Sequence, residues 1–86
     1  MHTVELLDEA LRVAETLGYK IRQEYLGGAA GGACEIGGQK WLFVDLAFNA
    51  SEQLDQVAEA LRTDQGVYGV SLSLPLARML GMRRVA

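Results

Sequence analysis

The chain has 86 residues, of which half are hydrophobic and 22% are charged. This composition is typical of a folded globular protein and excludes the disordered class. Eight Lys and Arg against eleven Asp and Glu give a net charge of −3, which provides no field that would attract the phosphates of nucleic acid or of a membrane surface. We therefore expect one small α+β domain over residues 1–86, with neither nucleic acid nor a membrane as its partner.

The beginning of the chain and its cysteine content indicate the compartment. The first residues carry acids at Glu5, Asp8 and Glu9, whereas a secretory signal begins with basic residues and continues into an apolar run. The single Cys34 cannot form an internal disulfide, and no apolar run approaches the ~18 residues that span a bilayer. These features predict a reducing, cytoplasmic setting.

The first predicted element is an amphipathic helix from Val4 to Leu17, because its apolar residues recur at spacings of three and four. Thr3 is the expected N-cap, and Gly18 is the expected left-handed residue at the other end. Alternation then predicts a strand over residues 19–26. Its charged residues share one face of that strand: Lys20, Arg22 and Glu24.

A glycine-rich loop and a hairpin follow. Residues 27–32 contain four glycines and no side chain larger than a methyl group, which predicts a flexible connection. Gly37-Gly38 suits a two-residue hairpin turn, since glycine adopts the left-handed conformations that such a turn needs. The strand after the turn, residues 41–48, is apolar on both faces, so it is either covered twice or exposes Trp41 and Phe43 to a partner.

The last third of the chain supplies the remaining elements. A second helix over residues 51–63 is expected to pack its buried stripe on the long strand; the two apolar sets are Leu54, Val57, Ala58 and Leu61, and Leu42, Val44 and Leu46. Residues 67–72 predict a short strand, Pro75 opens a short helix that stops at Gly81, and residues 82–86 form a tail. The predicted order is helix, three-stranded antiparallel meander, helix, short strand and short C-terminal helix, with the helices on one sheet face.

Several segments resemble a group of short bacterial proteins that have no assigned activity. The matching segments are Gly31-Gly32-Ala33-Cys34, Gly38-Gln39-Lys40, Leu42-Phe43-Val44-Asp45, Glu52-Gln53-Leu54 and Ala58-Glu59-Ala60-Leu61. The resemblance implies the same domain boundaries and a bacterial cytoplasmic setting. It implies no catalytic residue.

The predicted hairpin followed by a helix also distantly resembles the small zinc peptidases, whose helix carries His-Glu-x-x-His. The matching stretch here is residues 58–62, which keeps Glu59 but has Ala58 and Arg62 at the two ligand positions. The only histidine, His2, is far away in the sequence. We therefore expect no bound metal and no cofactor.

Two alternatives give this chain a chemical role. The first is a small thiol- or carboxylate-dependent enzyme centred on Cys34, whose thiolate Lys40 could stabilise from across the hairpin; burial of Cys34 beside Ile36 is the favoured alternative, because free cysteines are among the most buried residues. The second is a small-anion site formed by backbone N–H groups of the loop. Its candidate residues are Gly27, Gly28, Gly31, Gly32 and Cys34.

Three carboxylates, those of Glu24, Glu35 and Asp45, are predicted to share one sheet face, which would suit a hard cation or an acid–base pair. A charge lattice with the neighbouring basic side chains is more economical; those side chains are Lys20, Arg22 and Lys40.

Aromatic residues among charges are typical of interaction surfaces. The sequence thus favours a non-enzymatic protein-interaction or self-association module, whose partner is another protein or a homo-oligomer such as a dimer. Its predicted surface is Trp41, Phe43, Arg22, Glu24 and Asp45.

Overall fold

The computed structural model describes residues 2–27 and 31–82. Helices and strands follow the chain in this order: α1 (Thr3–Thr16), β1 (Lys20–Glu24), β2 (Gly32–Ile36), β3 (Gln39–Asp45), α2 (Ala50–Arg62), a 3-10 helix (Gln65–Gly69) and α3 (Leu74–Met79). The predicted mixture of helix and strand is confirmed.

The ends of α1 differ in how well the sequence predicted them. Gly18 has φ +97°, and its N–H and that of Tyr19 donate to the carbonyls of Glu15 and Ala14 at 3.0 and 3.1 Å. This is the Schellman arrangement that a left-handed glycine permits. At the other end the N-cap is His2, which makes no side-chain capping bond. The expectation that Thr3 caps α1 is therefore wrong, and Thr3 is the first helical residue.

The strand order is β1-β3-β2, with β1 parallel and β2 antiparallel to β3. The predicted antiparallel meander is therefore wrong. β3 takes the centre because it is the longest strand, with seven residues, and because a strand that is apolar on both faces suits a position with neighbours on both sides. β1 pairs with β3 from Trp41 to Asp45, whereas β2 pairs with it from Phe43 back to Gln39, so the two strands overlap on β3 only between Trp41 and Phe43.

The turn between β2 and β3 is confirmed. Ile36 pairs with Gln39 across it, and the two residues between them, Gly37 and Gly38, have φ of +57° and +80°. A type I′ turn needs positive φ at both of these positions, which glycine adopts at no steric cost.

One side of the sheet packs on α1 and α2, and we call it the inner face. Leu42 and Val44 of β3 point to this side and are fully buried. The predicted stripe of α2 is confirmed as core, since Leu54, Val57, Ala58 and Leu61 are buried. Leu46, which was expected in the same contact, is only half-buried because it follows the end of β3.

The segment after α2 is not the predicted fourth strand. Residues 65–69 form a 3-10 helix that begins at Asp64, whose side chain accepts the Gly66 N–H, and Val67 is buried in the core. The 3-10 helix lets Val67 reach the core directly after α2. A fourth strand would have had to pair at an edge of the sheet, which would have placed this segment away from the core.

The third helix follows the sequence closely. Ser73 caps α3 by accepting the Leu76 N–H, with Pro75 in the first turn, and the Ser73 N–H also donates to a Glu9 carboxylate oxygen at 2.7 Å. Gly81 follows α3 with φ +72°. Met82, expected in a frayed tail, packs against the core, and residues 83–86 of that tail lie outside the described part of the chain.

Candidate interaction surface

The side of the sheet opposite the helices carries the aromatic residues, and we call it the outer face. The strand register places Lys20, Trp41 and Cys34 in one row across the sheet, and Arg22, Phe43 and Gly32 in the next. The rings of Trp41 and Phe43 are stacked, with centroids 6.0 Å apart and planes inclined by 16°. Their side-by-side position on β3 follows directly from the period of two in a strand.

Basic side chains border the aromatic pair on one side only. The Lys20 ammonium lies 5.6 Å from the centroid of the Trp41 ring, within the range of a cation–π contact. Arg22 Nε donates to Glu24 Oε2 at 2.8 Å, an exposed pair that contributes little to stability. Trp41 and Phe43 are half-buried, and among the described residues neither belongs to the hydrophobic core or to the partly buried residues packed against it.

Asp45 does not belong to this surface, although the sequence placed it there. Its side chain is only 1% exposed, and its Oδ1 accepts the backbone N–H of Leu26 at 3.2 Å and of Ala47 at 2.9 Å. Its own N–H donates to Gln56 Oε1 at 3.1 Å. Hydrogen bonds of Asp45 therefore connect three segments: the residues that follow β1, the residues that follow β3, and helix α2. The remaining members of the predicted surface, Trp41, Phe43, Arg22 and Glu24, do share the outer face.

The three carboxylates expected on one face are separated. Glu24 pairs with Asp45, whereas Glu35 pairs with Lys40, and Lys40 and Asp45 lie at an odd spacing along β3 and so on opposite faces. Glu35 therefore lies on the inner face, away from the other two. The expectation failed because the two-residue turn at Gly37-Gly38 pairs Glu35 with Lys40, which places Glu35 on the opposite face of β3 from Asp45.

Cys34 is exposed, so the expectation that it packs in the core is wrong. Cys34 and Ile36 share a face as predicted, but β2 is an edge strand and this face is the outer one, which leaves Ile36 59% exposed. Lys40, which was expected to assist Cys34, points to the inner face and donates to Asp64 Oδ2 at 2.9 Å. The hairpin therefore directs these two side chains to opposite sides of the sheet.

A polar cluster that the sequence did not indicate lies at the rim of the inner face. Tyr19 OH and Lys40 Nζ both donate to Asp64 Oδ2 at 2.9 Å, and the Lys40 ammonium lies 4.6 Å from the Tyr19 ring centroid. A cavity of about 250 Å³ adjoins it, lined by Tyr19, Ala33, Cys34, Glu35 and Lys40. Asp64 lies 45 positions from Tyr19 and 24 from Lys40 in the sequence, so no local spacing could have revealed the bonds that hold the cluster.

The cluster shifts two pKa values in opposite directions. Partial burial, together with the bond to Asp64 and its negative charge, raises the pKa of Tyr19 from 10.0 to about 12. The Lys40 hydrogen bond, with smaller contributions from Gly66 N–H and Tyr19, lowers the pKa of Asp64 below 3.8. Asp64 is therefore a carboxylate, and Tyr19 a neutral phenol, across the physiological range.

The Tyr19 shift predicts a loss of stability at alkaline pH. The unfolded chain releases this proton near pH 10 and the folded chain near pH 12, so the free energy of unfolding is unaffected below pH 10 and falls between pH 10 and 12. Absorbance titration of tyrosinate should show a component near pH 12 that Tyr19→Phe removes and that Asp64→Asn moves part of the way towards pH 10. A titration unchanged by Tyr19→Phe would contradict this assignment.

The predicted ligand loop has one position where glycine is required by close contact. A Cβ on Gly31 would lie 2.5 Å from Gln56 Nε2 and 3.1 Å from the Phe43 carbonyl oxygen. Gly27 and Gly32 have positive φ, +62° and +109°, in open surroundings, and Gly28 lies outside the described residues. Close contact with β3 and α2 explains Gly31, and positive φ explains Gly27 and Gly32. Anion binding at this loop stays a prediction.

Within residues 2–27 and 31–82, no three His, Cys, Asp or Glu side chains are arranged to hold a metal ion. Glu59, the residue shared with the zinc-peptidase motif, bonds Arg62 on the surface at 3.1 Å. In the same residues, no helix combines the length and the apolarity that crossing a membrane requires. Comparison with protein-family models, curated proteins and solved structures found no significant match.

Proposed function

We propose that this chain is a non-enzymatic cytoplasmic module for protein association, and that the outer face of its sheet makes the contact. The observation that carries the proposal is the stacked Trp41–Phe43 pair on the central strand, which borders exposed Cys34 and Ile36 of β2. Aromatic side chains with arginine at their margin are enriched in the energetically important centre of interfaces.

The outer face favours association over the thiol-dependent alternative. A nucleophilic cysteine needs a base or a cation that stabilises its thiolate. Here the nearby cation, Lys40, is bonded to Asp64 on the inner face, whereas the β2 register directs Cys34 to the outer face beside Trp41. On the outer face, the neighbours of Cys34 are Trp41 across the ladder and Ile36 along the strand.

Trp41→Ala combined with Phe43→Ala is expected to weaken association by about tenfold or more, because aromatic anchors dominate interface energies. The monomer should stay folded, since the buried core lies on the other side of the sheet. Sedimentation velocity over a concentration series measures the self-association, and the same double variant as bait tests capture of a cytoplasmic partner.

The matched control is Tyr68→Ala, which removes an exposed aromatic ring from the 3-10 helix and should leave association unchanged. A wild-type chain that stays monomeric at high concentration and binds no protein would overturn the proposal. Equal weakening by the control and by the outer-face variant would show that the effect is not specific to this face.

A further inference from the structure

Strand β2 leaves one edge of the sheet open. Among the residues that the structure describes, 2–27 and 31–82, it pairs only with β3, and its residues from Ala33 to Ile36 are exposed. In the turn that closes the hairpin, Ile36 and Gln39 form a hydrogen-bonded pair, and such pairs alternate along an antiparallel ladder. The N–H and C=O groups of Ala33 and Glu35 therefore point away from β3, towards the open edge.

The opposite edge is formed by β1, which carries Lys20, Arg22 and Glu24. Charged residues, lysine above all, are the usual protection of an edge strand against pairing with another chain. β2 has a single charged residue, Glu35, and its first three residues are the small Gly32, Ala33 and Cys34. Of the two edges, the one formed by β2 is the less protected.

We propose that the partner is a second copy of this chain, and that the two β2 strands pair antiparallel with Cys34 opposite Cys34 on the twofold axis. The inference goes beyond the proposed function, because it assigns a contact through the edge of β2, in which the outer faces of the two copies lie side by side and not against each other. In this register, Ala33 of each copy lies opposite Glu35 of the other. The outward N–H and C=O groups of these two residues then form the hydrogen-bonded pairs between the copies. The two sheets become one continuous six-stranded sheet.

The side chains fit this register in two ways. A glutamate meets an alanine, whereas a register centred on Glu35 would place two glutamates opposite each other, which is unfavourable. On the outer face, Ile36 of one copy lies opposite Gly32 of the other, where a Cβ would meet no atom within 4 Å. Ile36 is 59% exposed in the single chain. In the pair it lies next to Phe43 of the other copy, because Phe43 pairs with Gly32 in the hairpin.

Glu35→Pro tests the edge. Its N–H points outward, so proline removes no hydrogen bond of the hairpin but eliminates half of the bonds between copies, and proline is tolerated on edge strands when its N–H would face solvent. We expect association to weaken by about tenfold or more with little change in the thermal midpoint. Glu35→Gln, which keeps the N–H, is the matched control and should associate like the wild type.

A second pair of variants tests the register without using proline. Cys34→Lys opposes two ammonium groups across the twofold axis and should weaken association, whereas Cys34→Ser should not. Oxidation with copper phenanthroline in air gives an independent measure. Non-hydrogen-bonded pairs have Cα atoms about 4.5 Å apart, within the range for a disulfide, so Cys34 should cross-link rapidly between copies. Cys34→Ser with Glu35→Cys moves the thiol to a diagonal position and should cross-link more slowly.

The outcomes separate this inference from the proposed function. Association that Glu35→Pro and Cys34→Lys leave intact, but that Trp41→Ala with Phe43→Ala abolishes, would overturn edge pairing and keep the outer face as the contact. A monomeric wild type that still captures a different protein through the outer face would do the same. Faster cross-linking of the displaced thiol than of Cys34 would overturn the register.

Discussion

Leu61→Ala is expected to lower the free energy of unfolding by about 2–5 kcal/mol, the range found when a leucine in a packed core is truncated. Leu61 is 0% exposed and belongs to the core cluster in which α2 packs on α1 and β3. A domain of this size has a stability of only about 5–10 kcal/mol, so a substantial part of the population could unfold. Urea denaturation followed by circular dichroism measures the change.

Leu74→Ala is the matched control, because it removes the same atoms from a leucine that is 46% exposed at the start of α3. It should change the free energy of unfolding by roughly 0.5 kcal/mol or less, as surface substitutions usually do. Similar losses for the two variants would show that Leu61 is not part of the tightly packed core.

The parts of the fold that the sequence predicted well are those that local rules determine. The α2 stripe follows from the helical period, and its N-terminus from a capping box in which Asn49 accepts the Glu52 N–H and the Glu52 side chain accepts the Asn49 N–H. The hairpin turn follows from the conformational freedom of Gly37-Gly38. In each case the residues that determine the structure are neighbours in the sequence.

The parts that were missed depend on contacts between distant segments. The pairing of β1 with β3 is decided by which strand occupies the centre, and only the apolar character of both faces of β3 indicated it. Exposure of Cys34 follows from the position of β2 at the edge, which the pattern within the strand does not contain. For the candidate surface, the Trp41–Phe43 pair could be predicted from alternation, whereas burial of Asp45 could not.

Asp45→Ala is expected to be as destabilising as a core truncation, by about 2–5 kcal/mol. The buried carboxylate of Asp45 accepts the N–H groups of Leu26 and Ala47, and each hydrogen bond to a charged group contributes about 1.5–3 kcal/mol. Asp45→Asn is the matched control, because its amide oxygen can still accept these bonds in a side chain of nearly the same volume. It should lose less than half as much as Asp45→Ala.

The position of these bonds also predicts where the damage appears. Leu26 follows β1 and Ala47 follows β3, so Asp45 holds together the ends of the two parallel strands. Amide hydrogen exchange in Asp45→Ala should therefore accelerate first at Leu26 and Ala47, while the buried part of α2 keeps its relative protection. Because β1 supplies Lys20 and Arg22 to the outer face, loosening this end should also weaken association. Unchanged exchange at both amides, with an unchanged denaturation midpoint, would show that Asp45 does not hold the ends of the two strands together.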